Sequence, residues 1–281
     1  MKKIFFILAM AMLPVFLSAQ VQQTKKQTQK PTTVQKKQVQ QKQVLTNTRV
    51  NASMKIVQPE EPVDPVAEAR QKAYNWLAPF KNYHMLNVDQ IATLTTLDLS
   101  TGSPTIKGVS RSIYMCDDSL VHLRAFTGLQ TLTVPSWTTN AALVHIVTLQ
   151  NLKGLYLSNS GINHHGIASL PVMPTVENVI LSGTGITNST MQILNQKFPS
   201  MKILNVGSTS VNDIGLSYLD PGTNLEVLLL QRGSFTDACI PTILQFTGLR
   251  TISVEFTQIS ASGRQQLRDA FPNATIIPSG N

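Results

Sequence analysis

Histidines, cysteines and one pair of aspartates are the side chains with which this sequence could do chemistry. His164 and His165 are the most suggestive pair. A helix that holds a metal ion usually presents its two imidazoles at i and i+4, whereas adjacent helical side chains point about 100° apart. His122 and His145 fall in different segments, and nothing in the sequence groups them with carboxylates. Asp117 and Asp118 have the composition of a cation site or an acid–base pair. They follow Cys116 where a helix is expected to begin, so helix capping is the reading adopted. No nucleophile motif, phosphate-cradling glycine loop or zinc-ligand spacing appears. The sequence therefore assigns no catalytic residue, no metal ligand and no cofactor, and the expectation is a protein that is not an enzyme.

The surrounding chain has 281 residues, 42% of them hydrophobic and 14% charged, with two cysteines and a formal charge of +8. That is ample for a core without disulfides or metal. The charge is segregated. Residues 1–59 carry ten Lys/Arg and no Asp or Glu, while residues 60–281 carry thirteen Lys/Arg against fifteen Asp/Glu. A nucleic-acid-binding body is not expected from so neutral a region.

Lys2 and Lys3, the apolar run Ile4–Leu17 and the exit Ser18-Ala19 read as a secretory signal over residues 1–19, cleaved after Ala19 or retained as an anchor. Export to the periplasm, the cell surface or the medium is the expectation. Residues 20–62 are Gln- and Lys-rich and too poor in apolar side chains to offset the entropy of ordering. They read as a disordered tether, either a plain spacer or a weak grip on an anionic envelope surface. Asp64-Pro65 reads as the cap and first position of a helix reaching Leu77, which opens a capping region over residues 63–105.

From residue 129 a pattern recurs: apolar, two variable, apolar, one variable, apolar. Its central members are Leu132, Leu155, Val179, Leu204, Leu228 and Ile252. They are spaced by 23, 24, 25, 24 and 24 residues. Eight residues after each central member stands Asn140, Asn163, Thr187, Asn212, Thr236 or Ser260, all able to cap a helix. Seven further on come Val147, Leu170, Leu194, Leu219, Ile243 and Leu267. Each repeat thus reads as a short strand, a turn, a capped helix of two or three turns and a return.

The segments LKGLYLSNSGINHHGIASL, MKILNVGSTSVNDIGLSYL and LEVLLLQRGSFTDACIPTI resemble leucine-rich repeats of the ribonuclease-inhibitor-like and cysteine-containing subtypes. The resemblance implies an α/β solenoid over residues 106–281, with a parallel sheet on the concave face and helices outside. It implies no activity, since such proteins bind diverse partners. Residues 106–123 fit a degenerate earlier repeat with Val109 in its strand. Leu94-Leu97-Leu99 also fits the strand pattern, as a hairpin or a shortened repeat. Cys116 and Cys239 then lie five strand steps apart, roughly 24 Å, which is too far for a disulfide. At the far end, Arg264 in place of an apolar helix residue suits a capping repeat.

Residues between the apolar positions must face away from the core. One column reads Gln130, Lys153, Glu177, Lys202, Glu226 and Arg250, alternating in sign from Lys153 onward. Beside it, Tyr156, Ile180, Ile203, Val227 and Leu229, with Asn205, form an apolar centre with a charged border. That is the layout of a protein-contact patch. The competing reading is that these side chains only favour strand structure. The functional expectation is non-catalytic recognition of an unidentified protein through this face, with envelope tethering by the basic tail as the alternative.

Overall fold

Each repeat places apolar side chains on one side of a short strand and polar ones on the other, a pattern that stacks only if every strand runs the same way. In the computed structural model eight strands do so. The structure describes residues 64–100, apart from 79, 81, 82 and 84, and residues 116–277. All of these lie in one compact unit, Pro62–Asn281. The signal reading over 1–19 and the tether over 20–62 lie outside the described residues.

The strands are β1 Thr96–Asp98, β2 Thr131–Thr133, β3 Gly154–Tyr156, β4 Asn178–Ile180, β5 Ile203–Asn205, β6 Val227–Leu229, β7 Thr251–Ser253 and β8 Thr275–Ile277. They pair in chain order, all parallel. Register places Leu97, Leu132, Leu155, Val179, Leu204, Leu228 and Ile252 in one column, and all seven are fully buried. β1 pairs directly with β2. Val109 itself is outside the described residues, and Leu97 takes the core position.

Helix α1, Pro65–Leu77, starts as expected: the Asp64 side chain accepts from the Val66 N–H at 2.9 Å, with proline at the first position. Its Ala73, Trp76 and Leu77 are buried. The Trp76 ring lies 5.6 Å from the His122 ring and 6.5 Å from that of Phe126. This packs α1 against the 3₁₀ helix Asp117–Ala125 of the first repeat.

Some helical returns fall short of the expected two or three turns. Only α4, Asn188–Lys197, and α7, Ala261–Ala270, reach ten residues. The others are α2 Leu143–Ile146, α3 His164–Ser169, α5 Asp213–Leu216 and α6 Ile240–Ile243. Proline supplies part of the reason. Leu170, before Pro171, is extended at ψ 144° and stops α3, because a residue preceding proline avoids the helical region.

The first cap is also displaced. Thr139, not Asn140, caps the helical turn of the β2 repeat, and Ile146, not Val147, is the fully buried residue seven positions on. The turn after β2 is one residue shorter than the others. The missing residue corresponds to the one that elsewhere adopts positive φ: Asn159 (55°), Gly183 (68°), Ser208 (54°), Arg232 (56°) and Phe256 (55°).

Displacing that cap frees Asn140 for a second role. Its Oδ1 accepts from the N–H of Asn163 at 3.0 Å, and its Nδ2 donates to Asn163 Oδ1 at 2.8 Å. Asn188 does the same for Asn212. Asp117, Asp213 and Asp237 each accept from the backbone N–H and the hydroxyl of the next cap, Thr139, Thr236 and Ser260. The residue after each cap is therefore a rung to the following repeat, which corrects the reading of Asp117 and Asp118 as caps of their own helix. One rung is missing. His164 occupies the position, its Nδ1 is buried without a hydrogen-bond partner, and the Thr187 N–H turns to the Thr190 hydroxyl instead.

The rungs bear on Cys239, buried beside Asp213. Burial first, and the Asp213 carboxylate second, push its thiol up to about 12. A raised acid stabilises the fold at pH values below its unfolded pKa, and that contribution disappears as pH rises toward 12. Cys239 is expected to resist iodoacetamide at pH 9 in the folded protein and to react on denaturation. Equal rates in both states would contradict this placement.

A column of hydroxyls follows four of the strands. Ser160, Thr184, Thr209 and Thr257 donate to the carbonyls of Leu157, Leu181, Val206 and Val254 at 2.6, 2.6, 2.6 and 2.7 Å. The Leu181 and Val254 carbonyls also accept the backbone N–H of Thr184 and Thr257 at 3.3 Å, so the hydroxyls there reinforce the turn.

Candidate partner-binding face

Side chains flanking the buried column occupy the sheet's other face. The charged column forms in full: each of Lys153, Glu177, Lys202, Glu226 and Arg250 donates its N–H to the carbonyl of the residue before it in the column, beginning at Gln130. Glu177 pairs with Lys202 at 2.9 Å, and Glu226 with Arg250 at 3.6 Å. The Lys202 hydrogen bond, with its charge and that of Lys153, holds the Glu177 carboxyl below its ordinary value. The same bond raises Lys202. Exposed pairs of this kind contribute little to stability; three cations alternate with two anions, so the border carries no strong net field.

Inside that border, Tyr156 and Ile180 are paired across β3 and β4, and Ile203 and Val227 across β5 and β6, with Leu229 beside them. All five are half-buried rather than projecting. The Tyr156 ring lies so close over Gly154 that a Cβ there would sit 2.8 Å from its Cε2. The patch is a flat apolar strip. Val144 of α2 and Ile214 of α5, on the helical side, are exposed by contrast.

Asn205 departs from the expectation of a contact residue. It is only 8% exposed. Its Oδ1 accepts from the Gly207 N–H at 3.0 Å and from Gln231 Nε2 at 3.3 Å. The carboxamide oxygen is consumed within the protein.

Beyond the strand ends the turns form a ledge that the sequence did not single out. A groove of about 300 Å³ lies there, lined by Asn159, Ser208, Gln231, Arg232, Glu255 and Phe256 among others. The Arg232 guanidinium stands 5.3 Å from the Phe256 ring centroid, and Phe256 is 60% exposed. The only sequence signal for it is the turn column itself, where arginine and phenylalanine replace the glycine of an earlier repeat.

Every repeat thus adds one parallel strand, one buried layer and one capped return, joined to the next by backbone and rung hydrogen bonds. This is a leucine-rich-repeat solenoid. No protein-family model matches the sequence, and no curated protein matches it. Among solved structures, the Arabidopsis receptor kinase HAESA, in complex with the peptide hormone IDA and the co-receptor SERK1, is 14% identical with a TM-score of 0.44, covering 77% of this chain and 41% of that one. A leucine-rich-repeat protein of Leptospira interrogans is 17% identical with a TM-score of 0.32, covering 67% of this chain and 61% of its own. A plant ice-binding protein is 12% identical, with a TM-score of 0.37 and coverage of 69% and 78%. The chain thus spans less than two-thirds of the first two structures.

His164 and His165, the pair singled out by the sequence, stand edge to face with ring centroids 5.6 Å apart. Cys116 and Cys239 form no disulfide with each other. Among the described residues, no group of three His, Cys, Asp or Glu could hold a metal ion, and no helix is long and apolar enough to cross a membrane.

Proposed function

We propose that this solenoid is an exported, non-catalytic binding module that recognises a protein through its concave face. The observation that supports the reading is the half-buried apolar strip of Tyr156, Ile180, Ile203, Val227 and Leu229, bordered by the sign-alternating column from Lys153 to Arg250. A flat apolar centre inside a neutralised rim can be desolvated cheaply, which favours burial against a partner. Ile203→Thr combined with Leu229→Thr keeps strand-favouring side chains while removing apolar surface. The double variant is expected to keep the unfolding cooperativity of the parent and to lose more than tenfold in partner affinity. Unchanged capture of the partner from a cell-envelope extract would refute the reading.

The segregation of positive charge into residues 1–59 supports an accessory role for the tail, a weak grip on an anionic envelope surface. In the same experiment, a chain lacking residues 20–56 should bind the partner normally and lose salt-sensitive envelope association. Association that survives the deletion would leave the tail as a spacer.

A further inference from the structure

We propose that the ledge beyond the strand ends binds a neutral saccharide, independently of the apolar strip. Three features of the groove lead to this class of ligand.

The first is that four of its main-chain donors are already spent. The N–H groups of Asn159, Gly183, Ser208 and Arg232 donate to the carbonyls of Ser182, Gly207, Gln231 and Glu255 at 2.8, 3.0, 2.9 and 2.8 Å. An extended peptide adding to a sheet relies on unpaired main-chain donors and acceptors, and these donors are occupied. Recognition falls to side chains.

The second is what those side chains offer. Arg232 donates, Glu255 accepts, and Asn159, Ser182, Ser208 and Gln231 are neutral groups that supply both kinds of partner. The one positive and one negative charge cancel, so the lining selects neither an anion nor a cation. A sugar hydroxyl both donates and accepts, and a ring bearing several of them matches an alternating, charge-balanced lining. One acceptor is left over: Gln231 Oε1 is shielded from solvent and has no donor among the described residues.

The third is Phe256. A bulky residue at positive φ is an outlier, and such conformations cost stability and concentrate at functional sites. Phe256 sits at φ 55° in a column where Gly183 shows the unstrained solution. At this position the ring lines the groove and is 60% exposed, with Arg232 over one of its faces. An exposed ring in a polar groove is the surface on which the C–H face of a pyranose stacks. The volume, about 300 Å³, is at the small end of ligand sites and suits one or two sugar units.

The test uses the full-length protein and three neutral probes: maltotriose, cellotriose and N-acetylchitotriose. Backbone amide spectra of Gly183, Arg232 and Phe256 report binding. At least one probe is expected to shift these amides, with an affinity that is unchanged between low and high salt and is at least tenfold weaker in Phe256→Asn. Asparagine tolerates positive φ, so this variant is expected to fold at least as stably as the parent while lacking the ring. No shift with any of the three probes overturns the proposal. So does a shift that appears only with an acidic probe, trigalacturonate, and weakens with salt, which would make Arg232 an anion site. Binding equal in parent and Phe256→Asn would place the sugar elsewhere and also overturn it. Ile203→Thr with Leu229→Thr should leave saccharide binding intact, so failure of the ledge and failure of the strip are read separately.

Discussion

Gly215→Ala will destabilise the protein, although in an ordinary helix interior the same change stabilises by about 1 kcal/mol. Gly215 is the third residue of α5. A Cβ there overlaps Asn188 Oδ1 and lies 2.8 Å from Val211 Cγ1. Asn188 cannot simply move aside, because its carboxamide is the rung that accepts from the Asn212 N–H at 3.1 Å and donates to Asn212 Oδ1 at 2.8 Å. Giving up two hydrogen bonds costs about 2 kcal/mol, and crowding Val211 adds about 1 kcal/mol or more. The gain in helix propensity offsets only part of this, so the net loss should be about 2 kcal/mol.

A double-mutant cycle separates this mechanism from a general intolerance of α5. Asn188→Ala alone leaves the Asn212 N–H without its acceptor and should cost about 2 kcal/mol. In the double variant the new methyl occupies space that the carboxamide has vacated. The pair should therefore fall short of additivity by about 1 kcal/mol or more, measured from urea unfolding midpoints. Strict additivity, or a stabilised Gly215→Ala, sinks the explanation. Gly166 faces Asn140 and Gly263 faces Asp237 in the same way. The helix-weakening glycines thus stand where a rung from the previous repeat needs the room.

These glycines show which parts of the molecule could be read from sequence. The buried column from Leu132 to Ile252 was legible because burial selects apolar side chains at a fixed period. Four caps, Asn163, Asn212, Thr236 and Ser260, were legible because few residue types satisfy a helix N-terminus and all four bond the helix start. Thr139 was not, because two adjacent residues could both cap, and only the shortened turn decides between them. Asn205 was misread for the opposite reason: its type suits recognition, and Gln231, in the turn after β6, engages that chemistry inward. The ledge had only the turn column as a signal. Asn159, Gly183, Ser208, Arg232 and Phe256 share a backbone conformation and nothing else.

Gly207→Ala should be the most damaging single-methyl addition in the sheet. The reason is steric, since Gly207 has no positive φ to lose. A Cβ there would stand 2.5 Å from the carbonyl oxygen of Gln231 and 2.9 Å from its Cδ. That carbonyl is the acceptor for the Ser208 N–H at 2.9 Å, so relief requires spreading β5 from β6 in the interior of the sheet. The side chain of Gln231 crosses the same space to reach Asn205 at 3.3 Å. The methyl would evict it and leave Asn205 with the Gly207 N–H as its one remaining donor among these contacts. Overpacking of this kind costs about 1–3 kcal/mol, and the lost hydrogen bond adds about 1 kcal/mol. A drop of about 3 kcal/mol is expected, accompanied by large shifts of the Gln231 and Asn205 side-chain amide signals. Ser182→Ala, at the equivalent position one repeat earlier, removes only a 3.0 Å contact with the Ser158 hydroxyl and should cost less than about 1 kcal/mol. If the two variants were equally stable, Gly207 would not be the gap through which Gln231 reaches Asn205. The link between the concave face and the ledge would then have to run through other residues.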